Sequence, residues 1–202
     1  TGAMNLVLLG PPGAGKGTQA ARLRERYGVP KVSTGEMLRA AAEQGGEAGQ
    51  QIAACINRGG LVPDEIVQKM VWERLSEPDT REGFLLDGFP RTVAQAGALE
   101  RFLTDHQREL TAALDLEVDE EELIRRLAGR RICPACGANY HLTLRPPRQP
   151  GRCDVEGAPL EQRPDDRPEA IRERLGLYHQ RTRPVFDYYR DRGLLRVIEG
   201  DA

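Results

Sequence analysis

Between Gly10 and Thr18 the chain reads Gly-Pro-Pro-Gly-Ala-Gly-Lys-Gly-Thr. Glycines let backbone N–H groups turn inward without a Cβ in the way. Those N–H groups, at the start of a helix, present positive potential to phosphate oxygens. Lys16 adds a full charge suited to β- and γ-phosphates. The general phosphate-loop pattern places Ser or Thr directly after the lysine; here Gly17 intervenes and Thr18 follows. The flanks fit the chemistry. Asn5–Leu9 is a short apolar run that reads as a buried parallel strand, and Gly15–Tyr27 carries helix formers with Ala20, Leu23 and Tyr27 as apolar positions. A glycine turn of no chemical meaning would need neither flank. A phosphotransferase P-loop is the reading that uses all of it.

The second chemical group is sulfur. Cys133-Pro-Ala-Cys136 is followed by Cys153 after sixteen residues and by Glu156 after two more. That spacing matches a structural zinc ribbon with glutamate in the last place, for which Asp154 or a water could substitute. A redox dithiol at Cys133 and Cys136, or free thiols, are the alternatives; the βαβ context of a thioredoxin-like motif is missing. Zinc here would be structural, folding a segment too small and polar to bury a core of its own. Cys55, remote from the others, reads as a small, buried or half-buried helix residue. His106, His141 and His179 have no assignable partner, although His141 after Tyr140 suits packing within the Cys-rich segment.

The elements that must position these groups alternate. Strands are expected at Asn5–Leu9, Lys31–Ser33, Phe84–Asp87, Ala113–Val118 and Leu194–Ile198, with helical pattern between them. Ser33 with Glu36, and Asp119 with Glu122, make capping boxes. Ile66, Val67, Met70, Val71 and Leu75 recur at helical spacing after Pro63 and Asp64. A long polar helix is expected from about Pro168 to Arg190, kinked at Pro184. The fold class is therefore α/β: a parallel P-loop sheet flanked by helices. From about Arg131 to Arg163 the helical period is lost and Gly, Pro and Cys dominate. A structureless loop of that length is unusual, so a small stapled insertion is expected. There is no evident internal repeat.

Composition bounds the partners. The chain has 202 residues, 30% of them charged, yet a formal net charge of only -2. No net basic field exists to attract a nucleic acid or an anionic membrane. The run Leu6–Leu9 is far short of the ~20 apolar residues a bilayer span needs, and no secretory signal is recognisable, so a cytoplasmic protein is expected. Thr1, Gly2 and Ala3 precede Met4 and read as residues left by cloning.

Several segments together carry a resemblance. GKGTQ at 15–19, STGEMLR at 33–39, LLDGFPRT at 85–92, GRR at 129–131, the Cys-rich segment and RPDDRPEAIRERL at 163–175 are similar to the bacterial adenylate kinases, over nearly all of the chain. The resemblance implies reversible phosphoryl transfer between MgATP and AMP to give two ADP, by a monomer. It also implies a parallel five-stranded core (4–32, 63–129 and 167–202), an AMP-binding insertion (33–62) and a mobile lid (130–166). ATP phosphates would be held by Gly13, Ala14, Gly15, Lys16, Gly17 and Thr18. Arg126 would pack on the ATP adenine, Arg130 would reach the phosphates, and Tyr140 would line the ATP side of the lid. AMP would be held by Thr34, Gly35, Arg39, Gly60, Leu61, Val62, Gly88, Arg91 and Gln95. Arg163 and Arg174 would bind the transferring and AMP phosphates. Asp87 would orient Mg2+ through water, and Asp165 and Asp166 would engage an arginine as the lid closes. Lid zinc would take Cys133, Cys136, Cys153 and Glu156; the family's usual fourth ligand is cysteine or aspartate. Family members usually continue past Gly200 and Ala202 into a further helix, so a shortened or unusual end is expected.

This chemistry needs no covalent nucleophile. It needs in-line positioning and preorganised positive charge, which Lys16, Arg39, Arg91, Arg130, Arg163 and Arg174 would supply. Arginine's planar fork suits phosphate. The plain alternative for these arginines is surface ion pairing, and for Asp165 and Asp166 a helix N-cap. Thr92 stands where pyrimidine-specific relatives usually carry asparagine, which favours AMP. A kinase for UMP, CMP or GMP, or a zinc-ribbon nucleic-acid module with a P-loop, are the competing readings; aromatics are only 5%, which disfavours the last.

Overall fold

The computed structural model describes residues 3–199. Thr1, Gly2, Gly200 and Ala202, on which the expectations about the chain ends fall, lie outside the described residues. In chain order the first half runs β1 (Met4–Leu9), α1 (Lys16–Tyr27), β2 (Lys31–Ser33), α2 (Thr34–Glu43), α3 (Gly46–Asn57), α4 (Asp64–Leu75), β3 (Gly83–Asp87) and α5 (Val93–Asp105). There follow β4 (Ala112–Glu117), α6 (Glu120–Gly129), β5 (Arg130–Ile132), β6 (Asn139–His141), α7 (Pro168–Leu177), α8 (Arg183–Asp191) and β7 (Leu195–Glu199).

Five strands form one parallel sheet in the order β2-β3-β1-β4-β7. Asn5 to Leu9 are all buried: Leu6–Leu9 are the apolar run of a central strand covered on both faces, and the Asn5 amide donates to the Glu109 carbonyl at 2.7 Å. Leu8 lies opposite Asp87 of β3 and Leu114 of β4, so the C-terminal ends of these three strands meet. The chain leaves β1 toward β2 on one side and leaves β3 toward β4 on the other. The crevice outside the strand ends at such a reversal is where α/β sheets bind ligands. Val7, Val32, Phe84 and Leu86 pack on one face with Val71, Leu75, Leu99 and Val185. Leu6, Val29 and Leu85 pack on the other with Leu23 of α1. A third cluster ties Ala14 of the glycine loop to Leu123 and Leu127 of α6 and to Ile171 and Leu175 of α7.

The expected strands stand within a residue or two of their observed bounds. The Ser33 hydroxyl accepts from the Glu36 N–H at 3.3 Å, and Asp119 accepts from the N–H groups of Glu121 and Glu122. Neither glutamate completes its box: Glu36 pairs with Lys31 and Glu122 with Arg126. The long helix expected from Pro168 to Arg190 is instead two helices joined by a π turn, Tyr178–Thr182. Pro184 has no N–H for the carbonyl four residues earlier, so the irregularity falls in the preceding turn. Pro184 itself sits in the first turn of α8, where a missing N–H costs nothing.

The Gly- and Pro-rich segment is not a loose loop. β5 and β6 pair antiparallel, and Ile132 bridges to Glu161. The small core beneath them is Cys133, Tyr140 and Cys153 with Ala138, Ala158 and Leu160. Cys55 lies half-buried on α3, as expected.

Candidate functional site

The glycine loop joins β1 to α1. Gly10, Gly13 and Gly15 have φ of 137, 84 and 92°, which L side chains rarely adopt. Space is also short: a Cβ on Gly10 would stand 2.8 Å from the Leu116 carbonyl oxygen, and one on Gly13 2.9 Å from Leu127 Cγ. Lys16 Nζ donates to the Gly10 and Pro11 carbonyls at 2.8 and 2.9 Å, folding back over its own loop. Burial lowers the Lys16 pKa to about 8; Asp87 opposes this, while Arg91, Arg174 and Arg130 add repulsion. Asp87 ends β3, and its Oδ2 is 3.6 Å from where a Gly17 Cβ would stand. The inserted Gly17 thus leaves open the space between Asp87 and the loop. Thr18 is exposed on the first turn of α1.

Arginines from distant segments converge beside this loop. Arg130, at the start of β5, makes a bidentate pair with Asp166 at 2.7 and 2.6 Å. Arg174 of α7 reaches the same Asp166 carboxylate at 3.0 Å and the Asp165 carboxylate at 3.4 Å. The N-cap alternative for these aspartates does not hold, because α7 is preceded by Arg167 and has no side-chain cap. Arg91 donates through Nε to the Gly88 carbonyl at 2.8 Å. Its pKa is lowered to about 10 by burial, then by Arg174. Arg163 is lowered to about 10 by burial, then by Arg130 and Arg39, and its Nε is buried without a hydrogen-bond partner among the described residues. Arg39 is lowered by burial as well, with Arg130 and Arg174 adding to the effect against Asp165. Lys16, Arg39, Arg91 and Arg163 are each disfavoured as cations by burial and then by neighbouring arginines. Asp87, Asp165 and Asp166 offset only part of the charge of Lys16, Arg39, Arg91, Arg130, Arg163 and Arg174. Such a group is arranged for a polyanion.

A cleft adjoins the cluster between α2, α3, α4 and the start of α5. Thr34, Gly35, Arg39, Gly60, Leu61, Val62, Gly88, Arg91, Gln95 and Arg174 all line it. Of the residues expected to hold AMP, only Arg163 stands outside that lining. Gly88, with φ 88°, keeps the floor low: a Cβ there would lie 2.6 Å from Thr34 Oγ1. Sequence reasoning missed the apolar walls Leu38, Ile56 and Val67, of which Val67 stood out only as one position of a helical period. It also missed Asp64, whose Oδ1 accepts from Gln95 Nε2 at 2.7 Å. A more open groove between α5 and α8 lies away from the arginines, and its Glu100 and Arg192 charges pair with each other.

Two expected ATP contacts have other engagements. Arg126 donates to Glu122 on its own helix at 2.7 Å. Tyr140 is buried in the small second core: its hydroxyl lies 3.4 Å from Cys153 Sγ and accepts from the Asp154 N–H at 2.8 Å.

The sulfurs of Cys133, Cys136 and Cys153 lie within 4.8 Å of one another, and Cys136 and Cys153 are 3.6 Å apart. That is far beyond a disulfide and close to the ~3.8 Å edge of a tetrahedron with Zn–S bonds of about 2.3 Å. The Cys153 thiol is pulled down to about 6, first by the backbone N–H of Glu156 and then by the Tyr140 hydroxyl. Two turns of one design hold the group. The Gly137 N–H bonds the Cys133 carbonyl and the Cys133 N–H the Ala138 carbonyl; Gly157, Cys153 and Ala158 repeat both bonds. In this repeat Glu156 occupies the place that Cys136 holds in the first turn. Its carboxylate lies outside the sulfur cluster, and Asp154 is committed to the Arg148 N–H at 2.8 Å. The spacing Cys-x3-Gly-Ala, present twice, was the sequence signal of this repeat. The cysteines therefore fit a thiolate-bound metal ion.

Each histidine has a local partner away from the cleft. His106 Nδ1 lies 2.7 Å from the Phe102 carbonyl, His179 faces Glu120, and the His141 ring covers Gly129 where α6 passes into β5.

The sequence profile of the family described as adenylate kinase matches residues 8–194. An adenylate kinase of Archaeoglobus fulgidus is 50% identical over 197 residues, covering 98% of this chain and 91% of that protein. One of Moorella thermoacetica is 51% identical over the same shares, and one of Staphylococcus aureus is 46% identical over 98% and 92%. With the loop, the arginine cluster and the cysteine group in one five-stranded parallel fold, the chain belongs to the adenylate kinase family.

Proposed function

We propose that this phosphotransferase moves the terminal phosphoryl group of ATP to AMP, reversibly, giving two ADP. The observation that carries the reading is the surplus of buried positive charge where the phosphate loop meets the cleft. ATP phosphates lie along Gly13–Thr18 with Lys16 and Arg130, and Arg126 packs on the ATP adenine. AMP occupies the cleft between Thr34, Arg39, Gly60–Val62, Gly88, Arg91 and Gln95. Arg163 and Arg174 face the phosphoryl group in transit. An AMP phosphate oxygen attacks the γ-phosphorus, the bond to the β-bridging oxygen breaks, and its electron pair stays on ADP. No proton is needed at the reacting atoms. The transition state spreads charge over three oxygens, and donors fixed beforehand stabilise it; one such donor commonly contributes on the order of 3 kcal/mol. Mg2+ supplied with ATP neutralises phosphate charge, and Asp87 beside Gly17 is the carboxylate placed to orient it through water. Tyr140, its side chain committed to the cysteines, shapes the lid.

In this reading residues 4–32, 63–129 and 167–202 form the core, 33–62 the AMP insertion, and 130–166 a lid. Asp166 anchors the lid arginine Arg130, and Asp165 joins it on Arg174. Cys133, Cys136 and Cys153 would hold a structural Zn2+ that staples the lid, with Glu156 as the fourth ligand. The enzyme works as a cytoplasmic monomer without nucleic-acid or membrane partners. The near-balanced charge supports the last of these, since it offers no net attraction to a polyanion, and among the described residues no helix is long and apolar enough to cross a membrane.

The test is ADP formation from MgATP with AMP, UMP, CMP or GMP as acceptor. AMP should be strongly preferred. A better rate with any other acceptor refutes the adenylate assignment, and no transfer to any of them refutes the enzyme.

A further inference from the structure

Gln95 carries a primary amide, whose two ends have nearly the same shape and opposite chemistry. The residue is 3% exposed, and its side chain lines the cleft. Its Oε1 accepts from the Arg91 backbone N–H at 2.7 Å, and its Nε2 donates to Asp64 Oδ1 at 2.7 Å. A backbone N–H only donates and a carboxylate only accepts, so the amide cannot turn over without facing donor with donor and acceptor with acceptor. The Thr92 hydroxyl holds the Gln95 backbone N–H at 3.1 Å, which fixes the first turn of α5 beneath the amide. After these bonds Gln95 retains one N–H and one oxygen lone pair.

Adenine offers a 6-amino donor beside a ring-nitrogen acceptor. A 6-oxopurine offers an oxygen acceptor where that amino group stood. An amide with its oxygen placed for the amino group meets the oxo group with a lone pair. A reversed amide would suit the oxo group instead. We propose that Asp64 is a positioning residue for base specificity: it holds the Gln95 amide in the one orientation that accepts 6-aminopurine and rejects 6-oxopurine monophosphates. This rests on the reading above that Gln95 faces the base of AMP. Asp64 sits at the start of α4, outside the cleft lining, so it acts only through Gln95.

AMP and IMP, which differ chiefly in the group at position 6, are the probes. Initial rates with saturating MgATP give kcat/KM for each. In Asp64→Asn the new side chain can donate or accept, so only the Arg91 N–H still opposes a turn of the amide. The AMP-to-IMP ratio should fall roughly tenfold, the factor a hydrogen bond to a charged group commonly carries, with kcat for AMP held within about threefold. A ratio that stays unchanged, including one in which both substrates decline together, overturns the proposal, since a purely structural role moves both alike. Asp64→Ser also lifts the constraint and is read the same way should the first variant fail to fold. Gln95→Leu separates the two levels. If it raises the KM for AMP while the Asp64 variants keep the ratio, only the orienting role fails. If it leaves the KM for AMP unchanged, the placement of the base at Gln95 fails and takes the proposal with it.

Discussion

Replacing Asp115 by asparagine should make the protein more stable at neutral pH, although the residue lies buried in the central sheet. Asp115 is on β4, opposite Leu9 of β1 and Val197 of β7, and is 4% exposed. Its Oδ1 is buried without a hydrogen-bond partner among the described residues. Burial first, and the nearby Glu117 second, raise its pKa from 3.8 to about 6. At 1.36 kcal/mol per unit that rise corresponds to ~3 kcal/mol against the charged form in the fold. Partial solvent screening leaves about 1–2 kcal/mol. The sign follows from proton binding. Below pH 3.8 the carboxyl is neutral both folded and unfolded, and no cost exists. Between 3.8 and about 6 the folded protein binds the extra proton, so this group makes stability fall as pH rises. Above about 6 the full cost is present. Asp115→Asn removes the charge and keeps the shape. Thermal unfolding at pH 7.5 should show a Tm higher by roughly 2–8 °C for a domain of this size. At pH 4 the two proteins should melt together. A variant less stable at pH 7.5, or one whose advantage does not shrink on acidification, would refute the reasoning.

Lys16 titrates near pH 8 in the free protein, so kcat/KM for ATP should fall above about 8 as the cation is lost. Lys16→Arg should move that limb upward; a profile flat to high pH would count against it. The Asp166 carboxylate is fully buried between Arg130 and Arg174, and Asp166→Ala leaves Arg130 without its paired carboxylate and Arg174 with Asp165 alone. Urea unfolding should show a loss of about 3–5 kcal/mol, and a loss under about 1 kcal/mol would mean the arginines relax into solvent. Freshly purified protein should carry near-stoichiometric zinc, lost in Cys153→Ser together with heat resistance; metal-free protein of full thermal stability would rule out the staple.

The phosphate loop was legible because its signal is local. Glycines at fixed offsets, a lysine and a helix start within a few residues fix where the backbone N–H groups go, whatever the rest of the chain does. The same holds for the buried strands Asn5–Leu9 and Phe84–Asp87, where apolar runs and glycine punctuation suffice. The π turn before Pro184 was harder to see. A proline marks a break, yet which carbonyl it frees depends on where the helix is re-entered. The two matching cysteine turns were visible only as a repeated Cys-x3-Gly-Ala, too short to stand out before the hydrogen bonds showed it twice.

Sequence alone thus determined the phosphate-binding loop, the α/β alternation and the thiolate group, since each is written in neighbouring residues. Tertiary structure decided which charges act together. Arg39, Arg91, Arg130, Arg163 and Arg174 come from separate segments, and only the meeting of strand ends at the crevice brings them beside Lys16. It also decided that Asp64 grips Gln95 and that Asp115 Oδ1 stands buried without a hydrogen-bond partner among the described residues. Contacts between residues tens of positions apart depend on how the chain crosses the sheet, and spacing along the chain does not record it.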